Sequence, residues 1–378
     1  MPRHSNSLVE SHTVAEIDLS AFRSNVLALR ERVDKSIFLA VIKTNAYGHG
    51  IVPIAMEAVK AGANRLGVTT VEEGALLRES GIHVPIHVLS TITTDQADDL
   101  VYYHLIASIS SERTAKAIST SAVKQNRDAI VHLKINTGLH RFGIEPEQAI
   151  DFCHLTYHLP NLYWEGIYTH FSNADEGDWD TTEDQFHLFC ETVKTLEGKG
   201  FYFSLKHVGA STIAIERKDM HLDMVRPGIA LFGYQPDIRQ KKLISLKPVM
   251  KLKTELVHIR LLPANSKVGY GGDYITNDIE NIAILPIGHG DGYKRRLSNN
   301  GYVLVRGQRV KIVGTIALDQ TFINVTNIPG VQEGDEVILI GNQGSEQISA
   351  RDVANWINSN VDEVLASLMN RIRRIYIS

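Results

Sequence analysis

Between residues 37 and 226 the chain repeats one pattern eight times: a short apolar run, then an amphipathic stretch. The runs begin at Ile37-Phe-Leu-Ala-Val-Ile42 and continue with Leu66-Gly-Val-Thr69, Pro85 to Ser90, Leu105 to Ile109 and Ala129 to Ile135. Trp164 to Thr169, Ser204 to Val208 and Met224-Val-Arg226 complete the set. Continuous β-branched runs suit strands buried on both faces. The stretches between them, such as Ile51 to Ala61, Val71 to Glu79 and Glu112 to Gln125, have helical spacing, the first two ending near Gly62 and Gly81. Strict strand–helix alternation implies a parallel sheet, and eight units in about 225 residues fit a (β/α)8 barrel better than an open sheet.

After about residue 245 the texture changes. Met250 to Ile259, Ile282 to Ile287, Val303 to Val305, Lys311 to Ile316, Phe322 to Val325 and Glu336 to Ile340 read as strands. Turn signals such as Gly271-Gly272, Asn300-Gly301 and Gly334-Asp335 separate them. Helices are expected over Ser349 to Ser359 and Val361 to Met369. The fold expected is α/β plus β, with a barrel over 1–245 and a mainly β domain over 246–378. The net charge of −4 argues against a nucleic-acid binder that relies on a basic surface. The apolar runs are far shorter than the roughly 20 residues of a membrane helix, and the N-terminus lacks the apolar core of a signal peptide. Two cysteines, Cys153 and Cys190, supply neither a disulfide framework nor a four-cysteine zinc site, so a reducing cytoplasm is the expected location. The sixteen histidines read as dispersed.

The sharpest local feature is Val41-Ile-Lys43-Thr-Asn-Ala-Tyr47-Gly-His-Gly50. An apolar strand ends in a lysine, where barrel enzymes keep their active sites. A lysine beside a buried run can lose its proton readily and act as a base or Schiff-base amine; the plain alternative is a lysine snorkelling from a strand end. The polar turn that follows precedes a helix N-terminus and suits a phosphate. Arg141 suits a carboxylate, or a surface ion pair. His170 suits a core hydrogen bond. Ser211 suits a helix N-cap, an anion contact, or both. Gly269-Tyr270-Gly-Gly272 reads locally as a hairpin turn.

Lys43-x-Asn-Ala-Tyr47-Gly-His-Gly resembles the cofactor-lysine motif of bacterial alanine racemases, the fold-type III pyridoxal-phosphate enzymes. The resemblance extends over nearly the whole chain, with further motifs in the family's order. Lys134-Ile-Asn-Thr-Gly-Leu-His-Arg141 is similar to the segment whose arginine binds the substrate carboxylate and whose lysine is often carbamylated. Tyr168-Thr-His170-Phe-Ser-Asn-Ala-Asp resembles the segment whose histidine supports the catalytic tyrosine. Ser211 matches a phosphate-binding serine. Arg226-Pro-Gly228-Ile229 resembles the loop whose arginine faces the pyridine nitrogen and whose main chain, with the hydroxyl of Tyr47, binds phosphate.

Lys267-Val-Gly-Tyr270 resembles the segment carrying the second catalytic base, a tyrosine that reaches into the partner subunit's site. Pro286-Ile-Gly-His289-Gly-Asp291-Gly-Tyr-Lys-Arg295 resembles the substrate entrance, with His289 where a tyrosine is usual. Ala317-Leu318-Asp319-Gln320 resembles the segment whose second residue offers its N–H to the substrate carboxylate. Asn370-Arg-Ile-Arg-Arg-Ile-Tyr376 aligns with a closing motif whose first residue is commonly a tyrosine that crowds the substrate side chain.

The resemblance implies a head-to-tail homodimer that interconverts L- and D-alanine with pyridoxal 5'-phosphate, Lys43 and Tyr270 being the two bases and D-alanine for peptidoglycan the product's use. It implies no metal, nucleic acid or membrane. Three alternatives stand beside it. A serine or broader-specificity racemase is suggested by Asn370 and His289. A decarboxylase of similar architecture would have a Glu-Pro-Gly-Arg loop where this chain has Arg226-Pro-Gly-Ile. A non-catalytic pyridoxal-phosphate protein would lack the β domain and its tyrosine.

Overall fold

The computed structural model describes residues 12–33 and 35–378, which fall into two compact units. One unit spans Ser20–Pro248. The other combines Val249–Ser378 with the described residues up to Leu19.

In chain order, the first strand is β1 (Val14–Asp18), followed by the barrel strands β2 (Ile37–Val41), β3 (Arg65–Val68), β4 (Ile86–Val88) and β5 (Ile106–Ile109). The ring continues through β6 (Ala129–Lys134), β7 (Leu162–Tyr168), β8 (Leu205–His207) and β9 (Met224–Val225). The eight-stranded sheet has the order β8-β7-β6-β5-β4-β3-β2-β9, all parallel. It closes on itself between β8 and β9, where Asp223 N–H donates to the Lys206 carbonyl at 3.1 Å and Arg226 N–H to that of Gly209 at 2.8 Å. The (β/α)8 barrel is therefore present, with every strand of the ring at a predicted run. Its helices alternate with the strands; Val71–Glu79 and Glu112–Gln125 begin at Thr70 and Ser111, whose hydroxyls accept from the third residue on.

Asn25, on the helix Leu19–Val33, is 1% exposed. Its amide nitrogen donates to the carbonyls of Leu231 (3.0 Å) and Lys247 (2.8 Å), and its oxygen accepts from Lys247 N–H (2.8 Å). One side chain thus satisfies three main-chain groups where the last barrel segment ends.

The second unit is mainly β, with β10 (Met250–Glu255), β11 (His258–Leu262), β12 (Lys267–Val268), β13 (Tyr274–Ile275), β14 (Glu280–Leu285) and β15 (Tyr302–Val305). It continues with β16 (Gln308–Lys311), β17 (Thr321–Asn324), β18 (Glu336–Gln343), β19 (Glu346–Ile348) and β20 (Arg373–Ile377). A seven-stranded sheet runs β16-β15-β18-β10-β1-β20, with β19 on β18. β1 pairs antiparallel with β10 and parallel with β20. The expectation that the barrel takes all of 1–245 misplaces β1: its alternation Val14, Ala15, Ile17 buried against Glu16 and Asp18 half-buried fits a β unit's sheet.

Two other expectations are corrected. Met250 to Ile259 is two strands, and the strand read at Lys311 to Ile316 lies earlier, at Gln308–Lys311. The hairpin β15–β16 turns at Arg306 (φ 50°) and Gly307 (φ 74°), a two-residue turn with both φ positive, and arginine gives no sequence signal for that conformation.

Replacing Asn25 by Ala removes the partner of the buried Leu231 carbonyl and of the half-buried carbonyl and N–H of Lys247. At roughly 1–3 kcal/mol for a buried group left unsatisfied and about 0.5–1 kcal/mol for each of the two that water can reach, the variant is expected to lose about 2–5 kcal/mol of unfolding free energy. Urea unfolding followed by circular dichroism checks this.

Candidate active site

The C-terminal ends of the barrel strands gather the basic residues. β2 ends at Val41, and Lys43 opens a turn that departs from normal backbone geometry. Thr44, Asn45, Ala46 and Tyr47 all have φ between 51° and 55°, a left-handed turn built without glycine. Each such residue costs about 1–2 kcal/mol. The conformation is fixed from several sides. Asn45 N–H donates to Glu73 Oε1 at 3.0 Å, and Asn45 Oδ1 accepts from Ile51 N–H at 2.9 Å, the start of the next helix. Tyr47 and His49 are buried with their rings 4.9 and 4.4 Å from that of Phe232.

The loop after β9 meets this turn. A Cβ on Gly228 would fall 2.6 Å from the Tyr47 hydroxyl, so only glycine lets the loop lie there. Ser211 Oγ accepts from Gly228 N–H at 2.9 Å and Ala230 N–H at 3.4 Å. The N-cap of the helix Ser211–Glu216 is Ala210, so Ser211 ties the loop rather than capping the helix. Ile229 follows, half-buried, at the start of a 3-10 turn.

Arg226 is 3% exposed. Its guanidinium donates to the carbonyls of Thr169 (2.9 Å) and Val208 (3.0 Å), to His207 Nδ1 (2.7 Å) and to His170 Nδ1 (3.3 Å). Burial pushes its pKa down to about 10, which still leaves it protonated at neutral pH. His170 is held well below its usual pKa by burial first, then by Arg226, Arg141, Lys134 and Lys43, so it is neutral. Its Nδ1 accepts, which leaves its proton on Nε2.

Lys134 ends β6 at 4% exposure, with its ammonium 5.2 Å from the Phe142 ring centre and 5.3 Å from that of Tyr168. Burial, then the charges of Arg141, Arg226 and Lys43, lower its pKa to about 7. Arg141 itself is exposed beside a cavity of about 130 Å3 lined also by Leu139, His170 and Asp175.

The other predicted residues lie in the second unit. Tyr270 sits at the tip of the β12–β13 hairpin between Gly269 (φ 75°) and Gly271 (φ 75°), 73% exposed. Leu318, 59% exposed, and Asp319 lie on a loop joined to the His289 segment: His289 N–H donates to the Ala317 carbonyl at 3.0 Å and Gly290 N–H to that of Leu318 at 2.7 Å. His289 and Arg295 are exposed. Asp291 is buried, accepts from Gly288 N–H at 3.0 Å, and lies 3.1 Å from Arg371 Nε. Asn370 is exposed in the turn before β20, beside Met369, whose N–H donates to the Asp291 carbonyl at 3.0 Å.

Sequence reasoning missed one cluster. The histidines are not all dispersed: His87, His132 and His207, one on each of β4, β6 and β8, are fully buried and bring their ring nitrogens within 4.8 Å of one another. The available signal was a polar residue inside three apolar barrel strands.

A closed parallel barrel followed by a β unit is the architecture of the solved alanine racemases on which this chain superposes, and here a lysine follows its first ring strand and a buried arginine its last. The family model "Alanine racemase, N-terminal domain" matches residues 17–236, and "Alanine racemase, C-terminal domain" matches 249–376. The chain belongs to the alanine racemase family and is an isomerase. An alanine racemase of Halothermothrix orenii is 40% identical over 372 residues, 98% of each chain. The solved alanine racemase of Bacillus anthracis, with bound L-Ala-P, superposes with a TM-score of 0.93 at 31% identity, covering 98% of this chain and 96% of that one. A histidine racemase of Leuconostoc mesenteroides subsp. sake superposes at 0.86 with 28% identity, covering 98% and 99%.

The lowered pKa of Lys134 has a defined sign. Its folded value, about 7, lies below the ordinary 10.5, so the unfolded chain binds the extra proton between these limits and this group makes the fold more stable as pH rises through them. In carbon-13 NMR of lysine-labelled protein in CO2-free buffer, one lysine should titrate near pH 7 and vanish in Lys134→Met.

Proposed function

We propose that this chain racemises alanine with pyridoxal 5'-phosphate, as a homodimer in which each barrel's site is completed by the partner subunit's β unit. The observation that carries the reading is the buried Arg226 beside the cradle formed by Tyr47, Ser211 and Gly228. The donor set fits the cofactor: the Tyr47 and Ser211 hydroxyls and the loop at 228–229 suit a phosphate, Lys43 supplies an amine, and Arg226 is a donor that stays charged. The bound cofactor would take the substrate's amine on its aldehyde and draw electrons from Cα, which acidifies the Cα–H bond.

Lys43 Nζ takes the Cα proton of D-alanine and returns one to the same face for the reverse reaction. The hydroxyl of Tyr270 of the partner subunit does the same for L-alanine on the other face. Exposure of Tyr270 and Leu318 in the single chain is what groups completing another copy's site require. Arg226 does not give up its proton at working pH, so it would hydrogen-bond the cofactor's ring nitrogen without protonating it, and this would limit how long charge resides on the ring. Neutral His170, with its proton on Nε2, is the group suited to support Tyr270 as a base. Arg141 pairs with the substrate carboxylate, assisted by the Leu318 N–H. Neutral Lys134 is nucleophilic enough to take up CO2, and its carbamate steadies Arg141. His289, Asp291, Arg295 and Asp319 border the entrance. D-Alanine made in the cytoplasm then serves peptidoglycan.

One observation favours a broader substrate range. Asn370 is an exposed, small polar residue whose neighbour Met369 is tied to Asp291, and the histidine racemase with this fold takes a larger side chain.

Chiral product analysis with L-alanine and L-serine, each incubated with protein and pyridoxal phosphate, is the direct test. D-Alanine should form, and no conversion of either amino acid would overturn the reading. Lys43→Ala should abolish turnover. Tyr270→Phe should lower kcat by about 10²–10⁴-fold, the usual weight of a general acid–base group, and suppress α-deuterium exchange of L-alanine more than of D-alanine.

Asn370→Tyr should raise the alanine-to-serine preference by roughly 10–200-fold. An unchanged ratio would remove Asn370 from the specificity argument.

A further inference from the structure

Arg226 is buried, charged, and bonded only to neutral acceptors among its hydrogen-bond partners: two carbonyls and two imidazoles. A buried guanidinium needs a compensating charge. In place of a direct counter-charge, its hydrogen bonds lead through two imidazoles to a carboxylate paired with a second arginine. His207 Nε2 lies 2.9 Å from His132 Nδ1, and His132 Nε2 lies 2.8 Å from Glu165 Oε2. Glu165 is in turn held by both terminal nitrogens of Arg65, at 2.6 and 2.9 Å.

The direction of every proton in this chain is forced. Arginine only donates, so His207 Nδ1 accepts. A neutral imidazole carries one proton, so that of His207 is on Nε2 and donates to His132 Nδ1. The proton of His132 is then on Nε2 and donates to the carboxylate. Burial first, then neighbouring charges, keeps His207 well below its usual pKa. Burial also lowers that of His132, against the opposing pull of Glu165. Burial works against the ionised form of Glu165, but its hydrogen bonds from His132 and Arg65 prevail and hold it down to about 2.

The packing around the two rings fits a fixed relay. Tyr168 stacks on His207 with centroids 4.7 Å apart and planes 5° from parallel. Gly166 has no Cβ, and one there would fall 2.4 Å from His132 Nδ1. His87 stands edge-on to His132 at 4.5 Å and bonds Ser108 rather than joining the line. The three imidazoles are near enough for a metal ion, but the facing nitrogens of His132 and His207 already share a proton.

We propose that Glu165, itself paired with Arg65, anchors Arg226 through His132 and His207 in fixed Nε2–H tautomers, and that these three are positioning residues that orient the guanidinium. The consequence for the cofactor ring rests on the pyridoxal-phosphate reading above; the relay itself does not. Removing the carboxylate charge while keeping its shape should loosen Arg226 and alter the electronic environment of the ring it faces.

Nitrogen-15 NMR of cofactor-free protein tests the relay first. His132 and His207 should both show Nε2–H, and Arg226 should show separate, slowly exchanging Nη signals. A proton on Nδ1 of either histidine overturns the proposal. In Glu165→Gln the Nη signals of Arg226 should merge. In the loaded protein, the cofactor's absorption band should shift, and kcat should fall about tenfold with KM changed less than about twofold. Retained Nη separation with an unshifted band would also overturn it. Should Glu165→Gln not fold, Gly166→Ala, which displaces His132 alone, is read in the same two ways. Failure of wild-type protein to bind the cofactor would instead reject the functional reading, with the tautomers still measured.

Discussion

A single guanidinium dictates much of the barrel's interior. Burying Arg226 without solvent requires an acceptor for each N–H that would otherwise be lost, and the barrel supplies them at its strand ends, where the carbonyls of Thr169 and Val208 lie just beyond the paired portions of β7 and β8. The remaining acceptors are imidazoles, because a carboxylate in direct contact would neutralise the group and a hydroxyl is not fixed as an acceptor. Barrel interiors are ordinarily layered with branched aliphatic side chains. Here His87, His132 and His207 take such places, and Ser108 and Tyr168 are joined to them through a 2.6 Å bond between their hydroxyls and the 3.1 Å contact of Ser108 with His87. The polar layer is the consequence of the arginine, and its packing by Tyr168 and Gly166 follows from the need to hold those rings still.

The second constraint is the left-handed turn after Lys43. Four consecutive non-glycine residues at positive φ carry on the order of 4–8 kcal/mol of strain. The turn survives because its polar groups are over-determined, through Glu73 and the Asn45 side chain, and because Ala46, Tyr47 and His49 are buried. Its product is position: the Tyr47 hydroxyl stands against the one loop residue that has no side chain, Gly228. Strain stored in the turn is thus offset by packing elsewhere in the barrel and converted into a rigid cradle.

The barrel was legible because its signal is long-range and repeated. The runs at 37, 66, 85, 105, 129, 164 and 224 are largely buried on both faces, and the one at 204 is half-buried, so burial leaves much the same mark around the ring. Lys43 and His170 were legible as polar groups at strand ends; Arg226 was singled out only by the resemblance, which also implied the roles of Lys43, Arg141, His170 and Arg226. What was not legible depends on partners far along the chain. β1 is short and is not legible as a strand, because its sheet neighbours, β10 and β20, come more than 200 residues later. The turn at Arg306-Gly307 lacks an asparagine or a second glycine. The histidine cluster is spread over three strands, and only the barrel's closure makes His87, His132 and His207 neighbours. Glu165, half-buried in an apolar run, gives no sign in sequence that it answers an arginine 61 positions later.

Charge at the barrel mouth follows one logic. Lys43, Lys134, Arg141 and Arg226 lie near enough to lower the basicity of Lys134 and His170. Such a cluster attracts anions, and its field adds to burial in making an amine easier to deprotonate and keeping an imidazole uncharged. Neutrality is what a lysine needs to be a nucleophile and a histidine needs to accept from Arg226. Placing the carboxylate at Glu165, two imidazoles away from Arg226 and paired with Arg65, keeps the mouth cationic while fixing the orientation of the guanidinium.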